Sequence, residues 1–214
     1  MLKIENVDVY GWEAAIRGMR NPMNSWARSD SEWEFVEDPS IINPNDSVKW
    51  VIGEEDLDLM KRLAAGGSTH AKYRRMITVT LDIIAPLYWW KEFDTYKVGT
   101  VANSCSTMHK IHSRDLTLDD FSCEHLMDTE RDVLDVVIKS INENRSCYIK
   151  TKDKRYWWNM IQLLPTSYNQ RRTVLLNYEV LTAIYRDRPN HKLDEWHVVC
   201  DWIESLPYSE IITG

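Results

Sequence analysis

The chain has 214 residues, of which 43% are apolar and 28% are charged, and its formal net charge is −7. A chain of this length can bury roughly 70% of the surface that its unfolded form exposes, so the sequence predicts a single domain over residues 1–214. The composition excludes an intrinsically disordered protein, a collagen-like repeat and a small disulfide-stabilised scaffold.

Charge is unevenly distributed along the chain. Residues 1–60 carry 13 acidic and 5 basic residues, whereas residues 61–214 have a net charge of +1 and would repel an anionic ligand least. A basic cluster is formed by Arg145, Lys150, Lys152, Lys154 and Arg155. Because binding to duplex DNA requires more neutralised phosphates than this cluster provides, we expect no nucleic-acid partner and interpret the cluster as a solvated loop between two helices.

The first predicted elements follow an acidic, irregular N-terminal segment. Residues 20–55 combine Pro22, Pro39 and Pro44 with three tryptophans, which predicts an ordered segment that either closes over a site or only packs on the core of residues 61–214. A helix is then expected around Leu57–Ala65, with Gly66-Gly67 as its C-cap. The period-two alternation over Met76–Ile83 predicts a half-buried strand.

The remaining elements are mainly helical. Pro86 is suited to the first position of an aromatic helix over Leu87–Lys97, and Thr129 with Asp132 resembles a capping box that begins a helix over Thr129–Ile141. Apolar spacing and the stops at Pro165 and Pro189 predict three more helices, at Arg155–Leu164, Gln170–Arg186 and Leu193–Leu206.

Several common sites are missing from the sequence. It contains neither a dinucleotide-binding G-x-G-x-x-G nor a phosphate-binding G-x-x-x-x-G-K-[ST]. His109 and His112 lack a carboxylate partner at a fixed spacing, so ordinary histidines are favoured over a metal site and no metal is expected. A Cys105 nucleophile with His109 as its base is conceivable, but no neighbouring cation clearly activates the thiol.

The four cysteines and the lengths of the apolar runs indicate the cellular compartment of the protein. Cys105, Cys123, Cys147 and Cys200 form no C-x-x-C pair, which predicts reduced thiols. No run reaches the about 18 apolar residues of a membrane span, and the N-terminus lacks the apolar segment of a secretory signal. We therefore expect a cytoplasmic protein with no membrane partner.

The order of segments from residue 70 to residue 108 resembles the core of the flavin-dependent thymidylate synthases. His70-Ala71-Lys72-Tyr73, the strand Met76–Ile83, Ala85-Pro86 and Trp89–Phe93 follow each other as in that family. An ungapped alignment then places Thr95-Tyr96-Lys97 on the Arg-His-Arg of the family's signature, Arg-His-Arg-x-x-Ser-x-Asn-Glu-x-Ser-x-Arg-Tyr. The later signature positions are occupied by Thr100, Ala102, Asn103, Cys105, Thr107 and Met108.

A second stretch resembles the C-terminal pattern of the same family. Leu164-Pro165 is followed by Asn177 and, eleven residues later, by Arg188. On one continuous helix these two residues would share a face and lie roughly 16 Å apart along the axis, which suits a long ligand. The alternative for Arg188 is a capping role at a helix end before Pro189.

The resemblance implies an α+β fold with an antiparallel sheet core flanked by long helices. It also implies methylation of dUMP to dTMP with FAD, NADPH and methylenetetrahydrofolate, in a homotetramer whose FAD is shared between chains. Arg188 would be the catalytic residue that polarises the pyrimidine. The implied cofactor-binding residues are His70, Thr95, Tyr96, Lys97 and Asn177. The implied substrate-binding residues are Thr100, Asn103, Ser104, Cys105, Ser106 and Arg188.

Departures from the family pattern leave alternatives open. Met160-Ile161 and Glu179 stand where the family has arginines, and Arg171, Arg172 or Arg155 are candidates to replace them. One alternative is an enzyme with another pyrimidine substrate. Another is a catalytically inactive nucleotide-binding or oligomeric interaction module, in which Trp89, Trp90, Trp157 and Trp158 are oligomer core rather than a flavin cradle.

Overall fold

The computed structural model describes residues 2–35 and 48–214. The strands are β1 Lys3–Tyr10, β2 Glu32–Phe35, β3 Val48–Val51, β4 Thr78–Pro86, β5 Val101–Ser104 and β6 Asn169–Asn177. The helices are α1 Trp12–Arg20, α2 Glu54–Ala65, α3 Leu87–Phe93, α4 Thr107–Lys110, α5 Asp128–Thr151, α6 Lys154–Leu163, α7 Tyr178–Asp187, α8 Asp194–Glu204 and α9 Glu210–Thr213. None of the helices within these residues is long and apolar enough to cross a bilayer.

Four of the strands form one sheet, in the order β1-β4-β6-β5, so β5 is an edge strand. The other two, β2 and β3, form an antiparallel hairpin in which Trp33 pairs with Trp50. The predicted α+β class with an antiparallel sheet is confirmed.

The central strand β4 follows the alternation that its sequence predicts. Val79, Leu81 and Ile83 are buried, whereas the residues between them are half-buried, because successive side chains of a strand point to opposite faces. The strand extends to Pro86, which was predicted to begin the next helix. Pro86 has an extended backbone and is the N-cap rather than the first helical residue. The aromatic helix therefore begins at Leu87, in agreement with its predicted range, and ends at Phe93, before the predicted Lys97.

One compact unit of the chain consists of Met1–Val7, Leu81–Lys97 and Val101–Val174. It contains the antiparallel helices α5 and α6, whose apolar sides cover a buried cluster. That cluster consists of Ile111, Leu116, Phe121, Leu134, Ile138, Ile141 and Met160. The prediction of a loop for the basic cluster is correct only for Lys152, which caps α5 with a left-handed backbone (φ 57°). Its other members lie on the two helices, Arg145 and Lys150 on α5 and Lys154 and Arg155 on α6.

The other compact unit consists of Asp8–Thr80, Val98–Thr100 and Leu175–Gly214. Its buried side chains include Met60, Tyr178, Ile184 and Trp196, contributed by α2, α7 and α8. The predicted irregular segment over residues 20–55 falls in this unit and forms short 3-10 turns and the β2–β3 hairpin in its described part. Pro39 and Pro44 lie outside the described residues.

The predicted helix over Gln170–Arg186 is wrong in its first half. Residues Asn169–Asn177 form strand β6, and only Tyr178–Asp187 is helical. Val174 and Leu176 are buried while Thr173 and Leu175 are exposed, which is the period of a strand. Because this run is short and begins with polar residues, its period-two signal is weak, and pairing within the sheet determines its conformation.

The other predicted helices are confirmed with shifted ends. Helix α5 begins at Asp128 after Met127 and continues ten residues beyond the predicted Ile141, and Thr129 forms no capping box. Helix α2 ends at Gly66 as predicted, although the left-handed residue is Gly67 (φ 86°). Helices α6 and α8 lie within two residues of their predicted limits.

Candidate functional site

The loop that joins the edge strand β5 to the short helix α4 forms the rim of a cavity. The Cys105 backbone N–H donates to the carbonyl of Arg171 on β6 at 2.9 Å, which extends the sheet by one residue. Ser106 caps α4, because its hydroxyl accepts from the His109 N–H at 3.2 Å. The chain therefore changes from strand to helix within a few exposed residues.

This cavity, called here the β5–α4 cavity, has a volume of about 290 Å³. Most of its lining residues have polar side chains, and they come from three stretches of the first unit, around β5–α4, residues 113–120 and the start of β6. The lining residues are Cys105, Ser106, Thr107, Lys110, Ile111, Ser113, Arg114, Leu116, Asp120, Tyr168, Asn169, Gln170 and Arg171.

Two of the three cations of the cavity are already paired. Arg114 forms a bidentate pair with Asp120, and Arg171 pairs with Asp82 at 2.7 Å and with Glu5 at 3.1 Å. Within the described residues, no carboxylate pairs with the exposed ammonium of Lys110. Lys110 is therefore the cation that is available to an anionic ligand.

Burial and the neighbouring charges shift the pKa values of Asp120 and Tyr168, which both line the cavity. Partial burial alone would raise the pKa of Asp120, but hydrogen bonds from Arg114 and from the Thr117 backbone outweigh it and lower the pKa below its ordinary value. Burial raises the pKa of the Tyr168 phenol, and the Asp120 charge adds to this effect. At neutral pH the site thus contains an ionised Asp120 and a neutral Tyr168.

Only some of the predicted substrate-binding residues line the cavity. Cys105 and Ser106 line the cavity, whereas Asn103 and Ser104 are exposed on β5 and do not line it. Thr100 belongs to the other unit, and its buried hydroxyl has no hydrogen-bond partner within the described residues.

The predicted cofactor-binding residues also fall in both units. Thr95, Tyr96 and Lys97 follow α3 in the first unit, whereas His70 and Asn177 belong to the second. Lys97 and His70 are exposed, and Tyr96 is half-buried. Asn177 caps α7, because its side-chain oxygen accepts from the Val180 N–H at 3.1 Å, so part of its hydrogen-bonding capacity is used within the fold.

Arg188 occupies the C-cap of α7, where its N–H donates to the Ile184 carbonyl at 3.0 Å. Its guanidinium carbon lies 4.6 Å from the ring centroid of the buried Trp196, a cation–π distance. Because Asn177 is the extended residue before the same helix, the two residues mark the opposite ends of α7. They flank α7 instead of lying within one continuous helix, which the ideal-helix argument assumed.

Two of the four tryptophans, Trp89 and Trp90, do not form an exposed flavin cradle. Trp89 and Trp90 are fully buried and pack with Phe93, so they belong to the core of the chain itself and not to an oligomer interface. Trp157 donates to the Met108 carbonyl at 3.1 Å, and Trp158 is 47% exposed.

Sequence reasoning missed several residues of the cavity, above all Lys110, Arg114, Asp120, Tyr168 and Gln170. The available signal was the density of cations between residues 109 and 114, directly after the predicted substrate loop. Arg171, in contrast, was a candidate replacement for a missing family arginine, and it does line the cavity.

The segment after α3 contains an exposed cation, which is the type of group that binds the diphosphate of FAD. Lys97 offers one ammonium group, whereas the Thr95 hydroxyl donates to the Glu92 carbonyl at 2.8 Å. The family signature has three basic residues at the positions of Thr95, Tyr96 and Lys97. The chain therefore offers one cation where three are usual, and we expect weak binding of the diphosphate.

Comparison with known proteins gives a clear result for the fold only. No model of a known protein family matches the sequence, and no curated protein sequence matches it. Among solved structures, the flavin-dependent thymidylate synthase ThyX of Helicobacter pylori, complexed with FAD and dUMP, is 14% identical with a TM-score of 0.66, covering 99% of this chain and 97% of that one. A second structure of ThyX from the same organism, also with FAD and dUMP, gives a TM-score of 0.67 at 14% identity over 100% and 97% of the two chains.

A third similar structure is a UMP/dUMP methylase, PolB of Streptomyces cacaoi, bound with 5-Br dUMP. It is 12% identical, with a TM-score of 0.59, and the match covers 99% of this chain and 94% of that one. The chain therefore has the fold of the flavin-dependent thymidylate synthases.

Proposed function

We propose that the β5–α4 cavity binds a pyrimidine nucleoside monophosphate and that the chain methylates dUMP to dTMP in a flavin-dependent reaction. The observation that carries this proposal is a cavity with mainly polar lining residues on the loop to which the resemblance assigns the substrate. It contains several hydroxyls and Lys110, which no carboxylate of the described residues pairs with. Its volume of about 290 Å³ is near the lower limit of ligand pockets, which suits a mononucleotide better than a dinucleotide.

The phosphate would be held by Lys110 together with the hydroxyls of Ser106 and Ser113. A lysine ammonium is a compact point charge that binds phosphate without the planar geometry that arginine imposes. Arg114 and Arg171 already share their charge with carboxylates and would contribute less. This arrangement would replace the arginine that the family signature has at the position of Thr107.

The residues proposed from the resemblance to bind FAD are Thr95, Tyr96 and Lys97 in the first unit, and His70 and Asn177 in the second. A bound FAD would supply hydride transfer, with NADPH as the reductant and methylenetetrahydrofolate as the source of the one-carbon unit added to C5 of dUMP; tetrahydrofolate and NADP⁺ would be the other products. The proposed role of Arg188 is to polarise the pyrimidine with its positive charge. A homotetramer, which the resemblance implies, would let two chains share one flavin.

A second candidate function is a nucleotide-binding module without turnover. It is favoured by the Thr95-Tyr96-Lys97 segment, which carries one cation where the family signature has three basic residues. Under this candidate the cavity binds dUMP, but the protein neither retains FAD nor methylates the nucleotide.

The test is calorimetric titration of the purified protein with dUMP, combined with absorbance near 450 nm after addition of FAD. We expect dUMP to bind, and Lys110→Ala to weaken it by about tenfold to a hundredfold, because one charged hydrogen bond to the phosphate is lost. Lys139→Ala, an exposed lysine on α5, is the matched control and should leave the affinity unchanged.

Turnover distinguishes the two candidates. Release of tritium from dUMP labelled at C5, in the presence of FAD, NADPH and methylenetetrahydrofolate, supports the methylase. Binding of dUMP without tritium release supports the module. If dUMP does not bind, or if Lys110→Ala leaves its affinity unchanged, the assignment of the cavity is wrong.

A further inference from the structure

Gln170 lies on the strand β6 and contacts the rim of the β5–α4 cavity. Its backbone carbonyl accepts a hydrogen bond of 2.9 Å from the indole Nε1 of Trp90. Trp90 is fully buried and packs against Trp89 and Phe93, so this bond ties the backbone of Gln170 to the core. The start of the Gln170 side chain is therefore held in place.

Arg172 determines which way the Gln170 carboxamide faces. The two residues are separated by one position on β6, so their side chains emerge on the same face. Arg172 Nε donates to Gln170 Oε1 at 2.9 Å. Because a guanidinium only donates, the carboxamide oxygen must face Arg172, and the NH₂ group must face away from it.

The NH₂ group of Gln170 then reaches the rim of the cavity. It donates to the Cys105 carbonyl at 3.0 Å and to the Thr107 hydroxyl oxygen at 3.2 Å. These acceptors lie on either side of Ser106, which is one of the hydroxyls proposed to hold the phosphate. Both hydrogens of the carboxamide thus bind the exposed loop at the two positions that bracket Ser106.

Arg172 is itself held by two further contacts. Its guanidinium carbon lies 4.2 Å from the ring centroid of Trp90, and its Nη1 donates to Asp94 Oδ1 at 2.8 Å. Asp94 ends α3 and immediately precedes the Thr95–Lys97 segment. The three side chains Asp94, Arg172 and Gln170 therefore form one network, all within the first unit.

We infer that Gln170 is a positioning residue, which holds the Cys105–Thr107 rim in the geometry that binds the ligand and is itself held by Arg172 and Asp94. This inference rests on the proposed nucleotide site. An exposed loop must otherwise lose conformational freedom when the ligand binds, and a loop that is already ordered avoids this cost. The donors of the rim are then in place before the phosphate arrives.

The test uses Gln170→Met, which keeps the length of the side chain and its neutral charge but removes both donated hydrogen bonds. The first readout is the rate at which iodoacetamide alkylates Cys105, followed by peptide mass spectrometry, because this exposed thiol lies on the held rim. We expect an increase of about threefold to tenfold, since two hydrogen bonds no longer restrain the loop. Gln162→Met, at an exposed position of α6, is the matched control and should not change the rate.

The second readout is the affinity for dUMP, which should fall by about tenfold in Gln170→Met while the thermal midpoint changes by only a few degrees. Asp94→Ala, at the half-exposed end of the network, should produce a smaller change in the same direction. Asp94→Asn keeps an acceptor for Arg172 and should restore the alkylation rate. If Gln170→Met does not fold, the two variants Asp94→Ala and Asp94→Asn still test the inference.

The two readouts separate this inference from the proposed function. If the protein does not bind dUMP but Cys105 is still alkylated faster in Gln170→Met, the nucleotide site is refuted. The conclusion that Gln170 orders the rim is then retained. Alkylation at the wild-type rate in both Gln170→Met and Asp94→Ala overturns the positioning role, whatever the protein binds.

Discussion

Two arginine–aspartate pairs in this chain have similar chemistry and very different surroundings. Arg20 and Asp56, in the second unit, are 3% and 0% exposed at their side chains, and Nε lies 2.6 Å from Oδ1. Arg114 and Asp120, at the wall of the β5–α4 cavity, are 61% and 13% exposed. The first pair is removed from water on all sides, whereas the second faces water through its arginine.

The buried pair is embedded in a network of donors. Asp56 Oδ2 accepts from the hydroxyls of Ser29 and Ser31, each at 2.7 Å, and from the backbone N–H groups of Asp30 and Ser31, each at 3.2 Å. Burial raises the pKa of Asp56, but the two serine hydroxyls and Arg20 together lower it below its ordinary value of 3.8. The network therefore ties the 29–31 segment to the start of α2.

The two pairs show that burial determines whether an ion pair mainly stabilises the fold or can also interact with a ligand. A buried carboxylate whose oxygens already accept hydrogen bonds from the fold, as those of Asp56 do, has no capacity left for a ligand, and its loss leaves an unpaired charge in the interior. An exposed pair contributes little to stability, since water screens it, and its arginine can exchange partners when an anion arrives. Arg20–Asp56 is thus structural, whereas the exposed Arg114 can still make a contribution to the site that is secondary to that of Lys110.

The largest expected effect is that of Asp56→Asn. The substitution keeps the shape of the side chain but leaves the charge of Arg20 buried and unpaired, so we expect a loss of about 3–5 kcal/mol in the free energy of unfolding. Urea unfolding followed by circular dichroism measures it. Asp58→Asn, two residues along the same helix and 66% exposed, is the control and should cost less than about 0.5 kcal/mol. Equal effects of the two substitutions would contradict the structural role of the buried pair.

The pH dependence of stability follows from the same pair. Because the pKa of Asp56 is lower in the folded protein than its ordinary value of 3.8, its ionised form stabilises the fold above that value, and the contribution is lost as the pH falls through the folded pKa. The difference in unfolding free energy between wild type and Asp56→Asn should be constant above about pH 5 and shrink at more acidic pH. Urea titrations from pH 3 to pH 7 test this; a difference independent of pH would refute it.

A smaller effect on stability is expected at the wall of the cavity. Arg114→Ala should change the free energy of unfolding by about 1 kcal/mol or less, because water screens the exposed guanidinium, and the Thr117 N–H still donates to Asp120 at 2.9 Å. The same variant should weaken dUMP more than it weakens the fold. A loss of stability as large as that of Asp56→Asn would remove the contrast between the two pairs.

The smallest effect is expected for an ion pair whose arginine is almost fully exposed to water. Arg155 is 87% exposed and pairs with Asp153, two residues before it, at 2.6 Å. Arg155→Ala should leave both the thermal midpoint and the dUMP affinity within experimental error. A measurable loss of dUMP affinity would place the turn between α5 and α6 in the binding surface.

Much of the fold could be predicted from the sequence where local patterns are strong. The alternation around Val79, Leu81 and Ile83 is visible in any window of the strand, and the aromatic spacing of Trp89, Trp90 and Phe93 predicts the helix that follows it. The hydroxyl-rich loop at Cys105 and Ser106 also stands out locally. These features depend on neighbours two to four positions apart, which is the range over which periodicity can be read.

Only the tertiary structure decided the conformation of residues 169–177 and the composition of the cavity. Strand β6 is stabilised by partners far away in the chain, such as the Thr173 hydroxyl that donates to Asp82 at 2.5 Å, and a local period cannot represent such a bond. Likewise, the sequence shows Arg171 and Lys110 only as two basic residues, with nothing to indicate which of them has a partner. Arg171 pairs with Asp82, whereas no carboxylate in the part of the chain that the structure describes pairs with Lys110, because pairing depends on distances that only the folded chain creates.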